Sequence, residues 1–308
     1  LLKPTDRTLL VTHKNCLDGT GSAFVFVKAG GLQANVRFRL PNNCVLKPND
    51  VMGLDEVWFV DVCPSDLTDP AGGLPFRVID HHVTNVRRFD GDPRCTFSLD
   101  HSGTSLLARE VGLVGFDRLV RALEAYDLGR FHDADGMLLA DLASTYAQDE
   151  MLNRLVGRLS KSENLYDSHP ILDSEYFVAR AEGVAGMRDD WARRCARSAY
   201  VFILDDNYAL DDRRFVAALA VCPPNWTNAV SQAIMDRDDF RYCGADVSVQ
   251  VAVCVDPNGG QVSLRTRDDA VDCSRIAEGF GGGGHRKAAG FRTVGGTGLR
   301  GLIEEIFE

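Results

Sequence analysis

Along the first half of the chain, short apolar runs alternate with stretches of helical spacing. Residues 8–12 (TLLVT), 57–60 (VWFV) and 76–79 (FRVI) each read as a short buried strand. Residues 21–29, 105–111 and 117–125 carry apolar positions three and four apart, as a helix does. This alternation predicts a parallel sheet with helices on its faces, a class of sheet that holds ligands beyond the carboxyl ends of its strands. From 150 to 198 the pattern turns helical and polar, with a break at Pro170. Residues 174–197 predict one long connecting helix with Phe177, Val178, Ala181, Val184, Ala185, Met187 and Trp191 on a broad apolar stripe. Strand signals return at 200–204, 215–222, 247–255 and 262–265, with a hairpin turn at 256–260 between the last two. The expected architecture is α/β: a parallel-sheet N-terminal domain over 1–165, a helical linker over 166–198, and a smaller mixed α/β domain over 199–308.

The residues just past the strands add chemistry. The first strand is succeeded by His13, Cys16, Asp18 and Gly19, the second by Asp61, and the third by Asp80, His81 and His82; Asp127 lies just past the helical stretch ending at 125. A carboxylate and two imidazoles at a buried strand end are costly unless paired, and they are natural ligands of a divalent metal. With parallel strands, the first three sets converge at one edge of the sheet. Carboxylates gathered there repel one another unless cations bridge them. Two divalent ions about 3.5–4 Å apart, with one carboxylate shared, relieve that repulsion and activate a water. Taken singly, Asp61 reads as a turn or cap, His13 as a satisfied polar residue and Asp127 as a helix end. Their joint occurrence points to a metal centre.

Composition narrows the class. The chain is 45% hydrophobic and 25% charged, enough to build globular cores. No apolar run approaches the roughly 18 residues of a membrane span, and no charged region followed by an apolar one opens the sequence. Nine cysteines without a C-x-x-C pair suggest the reduced thiols of a cytoplasmic protein. A net charge of −10 argues against gripping long duplex nucleic acid, which calls for a basic face. It leaves room for a short phosphorylated ligand held by a local basic cluster. Residues 281–287 (GGGGHRK) are one: glycines let the backbone approach an anion, and His285, Arg286 and Lys287 add positive charge. Plain flexibility is the alternative for the glycines. Arg265, at the end of its strand, is suited to a phosphate or base.

The ordered set His13, Asp18-Gly19, Asp61, Asp80-His81-His82 and Asp127 resembles the motifs of the DHH phosphoesterase superfamily. The stretch from Val262 through the GGGGH run is similar to the first subtype of DHH-associated domain, so the resemblance spans essentially the whole chain. The superfamily includes single-strand exonucleases, oligoribonucleases, cyclic-dinucleotide phosphodiesterases and, with a different second domain, family II pyrophosphatases. The resemblance implies two divalent ions, most often Mn2+, with Co2+, Fe2+, Zn2+ and Mg2+ as alternatives. His13 and Asp61 would hold the first; Asp18, Asp61, His81 and Asp127 would hold the second, with Asp61 bridging. His82 would face the substrate phosphate and Asp80 would orient its neighbours. Arg265, Gly283, Gly284, His285 and Arg286 would bind the substrate beyond the scissile phosphate.

One position departs from the usual pattern. Where the family's first motif has Asp-x-Asp, this chain has Cys16, as in the Cys-x-Asp-Gly version that some members carry. Either Cys16 ligates the first ion, favouring iron, zinc or cobalt more than usual, or that ion has fewer protein ligands. A third reading makes Cys16 a nucleophile beside His13. The activity implied is hydrolysis of very short single-stranded RNA or DNA, or of linear or cyclic dinucleotides, to nucleoside monophosphates. Alternatives are action on pAp, pyrophosphate or polyphosphate, or a non-catalytic nucleotide-binding protein. Homodimers are common in the family, and no membrane partner is expected.

Overall fold

The computed structural model describes residues 1–157, 170–204, 215–256 and 260–293. Strands β1 (Thr8–His13), β2 (Val36–Arg39), β3 (Glu56–Val60), β4 (Phe76–Asp80) and β5 (Cys95–Phe97) form one sheet in the order β2-β1-β3-β4-β5, every pair parallel. The α/β expectation therefore holds. The chain winds outward from β1 in both directions, so the topological switch point lies between β1 and β3. β1 and β3 are buried on both faces, which is why they read as nearly continuous apolar runs. The edge strands β2 and β5 are only partly buried, and their mixed compositions carry no clear strand signal.

The helices of this unit are α1 (Leu17–Lys28), α2 (Val83–Phe89), α3 (Gly103–Val111), α4 (Asp117–Asp127), α5 (Ala134–Ala143), α6 (Gln148–Gly157) and α7 (Pro170–Asp173). Alternate strand residues feed two layers. Leu10, Trp58, Val60 and Ile79 pack with α1, α3, α4, α5 and α6; Leu9, Val11, Val57, Phe59 and Val78 pack with Cys44, Leu46, Val51 and Leu67. α1 is buried from Leu17 to Phe26. It starts four residues before the helix expected at 21, because Gly19 and Gly21 lower its apparent helix propensity. Their lack of a side chain is what lets α1 sit this close: a Cβ at Gly19 would collide with the His13 carbonyl, and one at Gly21 with Thr104 Oγ1.

A long helix, α8 (Glu175–Arg197), comes next. The chain divides into two compact units inside it: Leu1–His81 with Asn85–Val184, and His82–Thr84 with the described residues from Ala185 onward. Phe177 and Ala181 join the first unit's core, while Ala192, Cys195 and Ala196 join a core of the second. The expected stripe needs correction at Met187 and Trp191, which are 61% and 45% exposed. The buried line of Phe177, Ala181 and Val184 continues through the partly buried Arg188 to the buried Ala192 and Cys195. Met187 and Trp191 each lie one residue off it, about 100° around the helix. Gly183 and Gly186 lie mid-helix, and a Cβ at either would meet no heavy atom within 4 Å. Gly183→Ala and Gly186→Ala should each raise stability by about 0.5–1 kcal/mol, read as a higher Tm in thermal unfolding.

The second unit carries β6 (Tyr200–Leu204), β7 (Phe215–Val221), α9 (Thr227–Met235), β8 (Phe240–Tyr242), β9 (Ala245–Val247), β10 (Val251–Val255), β11 (Gln261–Thr266), α10 (Cys273–Gly279), β12 (Gly283–Gly284) and β13 (Ala288–Arg292). Six of the strands form a mixed sheet ordered β12-β13-β11-β10-β7-β6, in which only β7 and β10 pair in parallel. The expected strand at 247–255 is two elements, β9 and β10; β9 pairs with β8 across a Cys243-Gly244 turn whose residues both have positive φ. Val251, Val253 and Val255 of β10 face the layer containing α10, while Ala252 and Cys254 face α8 and α9. The turn expected at 256–260 falls partly outside the described residues, as does the boundary between residues 165 and 166. No described helix is long and apolar enough to cross a membrane.

Candidate metal centre

The polar groups that end β1, β3 and β4 meet beside the switch point of the first sheet. His13 is the last residue of β1, and its Nδ1 lies 3.7 Å from Asp61 Oδ2. Asp61 directly follows β3 with φ +58°, a left-handed conformation rare outside glycine; its N–H donates to Ile79 O at 3.0 Å. Its other oxygen, Oδ1, lies 3.3 Å from Nε2 of His81, which follows β4. That nitrogen is also 3.4 Å from Asp127 Oδ2 and 3.9 Å from Asp18 Oδ2. Asp18, Asp61 and His81 are buried.

Two sets of donors, among others, converge here. One oxygen or nitrogen from each of Asp18, His81 and Asp127 lies within 4.8 Å of the others, and so do donor atoms of His13, Cys16 and Asp61. Asp61 stands between the sets, with one oxygen towards each histidine.

Local structure explains how these side chains are held. Asp18 occupies the first turn of α1, where the partial positive charge of the helix end favours a carboxylate. Its Oδ1 accepts from the Thr104 N–H at 3.0 Å, and Thr104 Oγ1 donates to the Asp18 carbonyl at 2.8 Å. Cys16 is the N-cap of α1. Asp127 is the last residue of α4. Asp80, fully buried, accepts from the His81 N–H at 2.7 Å and from Asn85 Nδ2 at 2.6 Å. Both of its oxygens are thus engaged in fixing the strand end. His82, half-buried, belongs to the short segment grouped with the second unit.

The cluster's electrostatics are those of a site short of positive charge. Burial pushes the His81 pKa down, but Asp127, Asp61 and Asp18 outweigh it and hold the imidazole well above its ordinary value. Burial raises the Cys16 thiol well above its ordinary value, and Asp61, Asp127 and Asp18 raise it further. A thiol so held is the opposite of an activated nucleophile, which needs a lowered pKa. Asp18 Oδ2 is buried with no hydrogen-bond partner. A carboxylate oxygen buried without a donor, beside two further carboxylates, two imidazoles and a thiol, fits the needs of a divalent cation. These groups can hold such an ion.

No family model matches the chain. Solved structures similar to it include a pGpG-specific phosphodiesterase from Vibrio cholerae, 12% identical, covering 97% of this chain and 98% of that one with a TM-score of 0.46. An exopolyphosphatase-related protein from Bacteroides fragilis is 15% identical over 98% of this chain and 90% of that one, with a TM-score of 0.40. An uncharacterized protein from Helicobacter pylori G27 is 14% identical over 98% of each chain, with a TM-score of 0.36. With scores this low, the functional reading of the chain rests on its own residues.

The second unit's candidate residues have structural work of their own. Gly283 and Gly284 form β12 and pair with Gly290 and Ala289 of β13. Gly284 has φ +141°, and a Cβ there would lie 2.7 Å from the Ala288 carbonyl. Gly284 therefore serves close strand packing, whatever else it meets. The His285 N–H donates to Ala288 O at 2.7 Å, closing a tight turn over Arg286 and Lys287. The backbone of this run is thus less open to an anion than four successive glycines suggest. Arg265 donates from Nε to Asn228 Oδ1 at 2.9 Å and from Nη1 to Leu264 O at 2.9 Å. Arg286 donates to the Asp269 carbonyl.

Sequence reasoning missed four residues around the centre: Gly103, Thr104, Asn85 and Gln148. None belongs to a metal-ligand residue type or carries a periodic signal. Each acts on a candidate ligand or its backbone through a contact that only the fold creates.

Proposed function

We propose that the chain is a two-metal phosphodiesterase that hydrolyses very short oligonucleotides or dinucleotides to nucleoside monophosphates. The observation that carries the reading is the position of Asp61, one oxygen 3.7 Å from His13 Nδ1 and the other 3.3 Å from His81 Nε2, between two sets of donors. His13, Cys16 and Asp61 would hold one ion, and Asp18, Asp61, His81 and Asp127 the other. When bound, such a pair supplies a water of lowered pKa and neutralises charge on the phosphate. The protein's own part is to keep the carboxylates converged and largely shielded from water. Asp80 orients His81 through its backbone N–H. His82 is assigned to a non-bridging phosphate oxygen, and the Arg265, Gly283, Gly284, His285 and Arg286 group to the substrate away from the scissile bond. The acidic net charge, −10, suits short substrates better than long strands.

The test is a panel of labelled RNAs two to ten nucleotides long, with linear dinucleotides, in Mn2+. Mononucleotide release fastest on the shortest members is the expected result. Phosphate release from pAp, pyrophosphate or polyphosphate without mononucleotide release would replace this reading with a phosphomonoester or phosphoanhydride hydrolase. Fewer than two ions per chain at saturating Mn2+, with no turnover on any substrate, would leave a nucleotide-binding protein.

A further inference from the structure

The loop joining β1 to α1 carries two of the candidate ligands, His13 and Cys16. It is held by a side chain 132 residues further along, at the start of α6. The Asn15 N–H donates to Gln148 Oε1 at 2.7 Å, and Gln148 Nε2 donates to the carbonyls of His13 at 2.9 Å and Cys16 at 3.0 Å. The amide therefore uses its acceptor and its donor nitrogen on the backbone of one four-residue segment. Asn15 in that segment has φ +57°, a left-handed turn conformation that asparagine adopts more readily than most residues. One end of the loop is fixed to β2, where the Lys14 N–H donates to Arg39 O at 2.9 Å. The other end is fixed by α1, whose Thr20 N–H and Oγ1 both donate to Cys16 O. The middle of the loop is held by Gln148.

We infer that Gln148 is a positioning residue for one of the two ions, acting only through the backbone of His13, Asn15 and Cys16. This rests on the two-metal reading above. Its selectivity follows from where it binds. Asp18 is held by Thr104 and its helix turn, His81 by its strand and Asp80, and Asp127 by α4. None of these depends on Gln148. Loss of its amide frees the segment between His13 and Cys16 while the other donor set stays in place. Partners that orient a metal ligand are worth about 10–100-fold in affinity when removed.

The test uses the full chain as Gln148→Met, which keeps length and removes all three bonds, and as Gln148→Asn, which keeps the amide but falls a methylene short. Asp149→Ala, the exposed next residue, is the control. Manganese binding is followed by calorimetry and elemental analysis, and Asn15 amide exchange by NMR in the metal-free protein. Wild type and D149A should bind two ions. Both Gln148 variants should keep one at wild-type affinity, bind the other about tenfold or more weakly, and lose Asn15 protection with little change in metal-free Tm. Two ions bound by Q148M and Q148N at wild-type affinity would overturn the inference and leave the metal site standing. Equal weakening of both ions together with a lowered metal-free Tm would also overturn it, as simple destabilisation. A wild type that binds fewer than two ions would sink the two-metal reading and this inference with it.

Discussion

Asp61→Asn should lose tight binding of both ions and slow hydrolysis roughly 10³-fold or more, while the fold survives. The size follows from position. Removing a single electrostatic stabiliser of a transition state costs about 10²–10³-fold, and Asp61 is the one carboxylate placed between both donor sets. Survival of the fold follows from the backbone. Asp61 sits at φ +58°, and asparagine is among the residues that best tolerate the left-handed region. It also matches aspartate in shape, so the buried site is neither opened nor overfilled. In the metal-free protein the variant's stability should differ little from wild type, because relief of repulsion among three neighbouring carboxylates offsets the loss of one that supports the charged His81 imidazole. Added Mn2+ should then separate them: a ligand at one hundred times its Kd stabilises by about 2.7 kcal/mol, so wild type gains Tm and Asp61→Asn does not. Thermal unfolding with and without Mn2+, elemental analysis and turnover decide the matter together. An Asp61→Asn protein that still loads two ions would remove Asp61 from its central place.

The candidate ligands stand out in the sequence because their chemistry is local: a carboxylate or imidazole just past a buried apolar run is costly wherever it lies, and several such runs in one chain point to one sheet edge. His13, Asp61 and His81 each sit where their strand ends, and the structure brings them together. Asp18 was legible only as part of a motif, since the glycines near it conceal the helix that holds it. The second core was foreshadowed by unbroken apolar runs such as β7, buried on both faces. What could not be read were contacts made by unremarkable residues across long separations. Gln148 and Thr104 present no periodicity, and their roles depend on where α6 and α3 dock. The edge strands β2 and β5 were equally silent, because a half-buried edge does not demand an apolar sequence. The glycine run at 281–284 read as a ligand loop, yet its members at 282 and 284 are required by the close approach of β13. Glycine removes a side chain, and a sequence alone does not say whether a ligand or another strand fills the space.

Gly103→Ala turns that ambiguity into a measurement at the first unit's centre. At the start of an exposed helix, alanine in place of glycine stabilises. Gly103 begins α3, but a Cβ there would lie 2.7 Å from Asp61 Cβ, 2.8 Å from Asp18 Oδ2 and 3.1 Å from Asp61 Cα. Those neighbours cannot yield cheaply. Asp61 is tied by its N–H to β4, and Asp18 is tied to Thr104, the residue next to the new methyl. The substitution should therefore cost about 1–3 kcal/mol through overpacking, the opposite sign to Gly183→Ala in open space. Its larger effect should be on function, because the displaced groups are one carboxylate from the second donor set and the one that lies between the two sets. A misplacement of about 1 Å in a reacting site costs on the order of 10²-fold, so turnover should fall by at least that much, with weaker loading of both ions. The contrast with Gln148→Met is diagnostic: a wedge at Gly103 disturbs both sets, whereas release of the His13–Cys16 loop disturbs one. If Gly103→Ala instead raises Tm and leaves metal loading intact, α3 and the β3 end have more slack than their packing allows, and the convergence of Asp18 and Asp61 is not what fixes the ions.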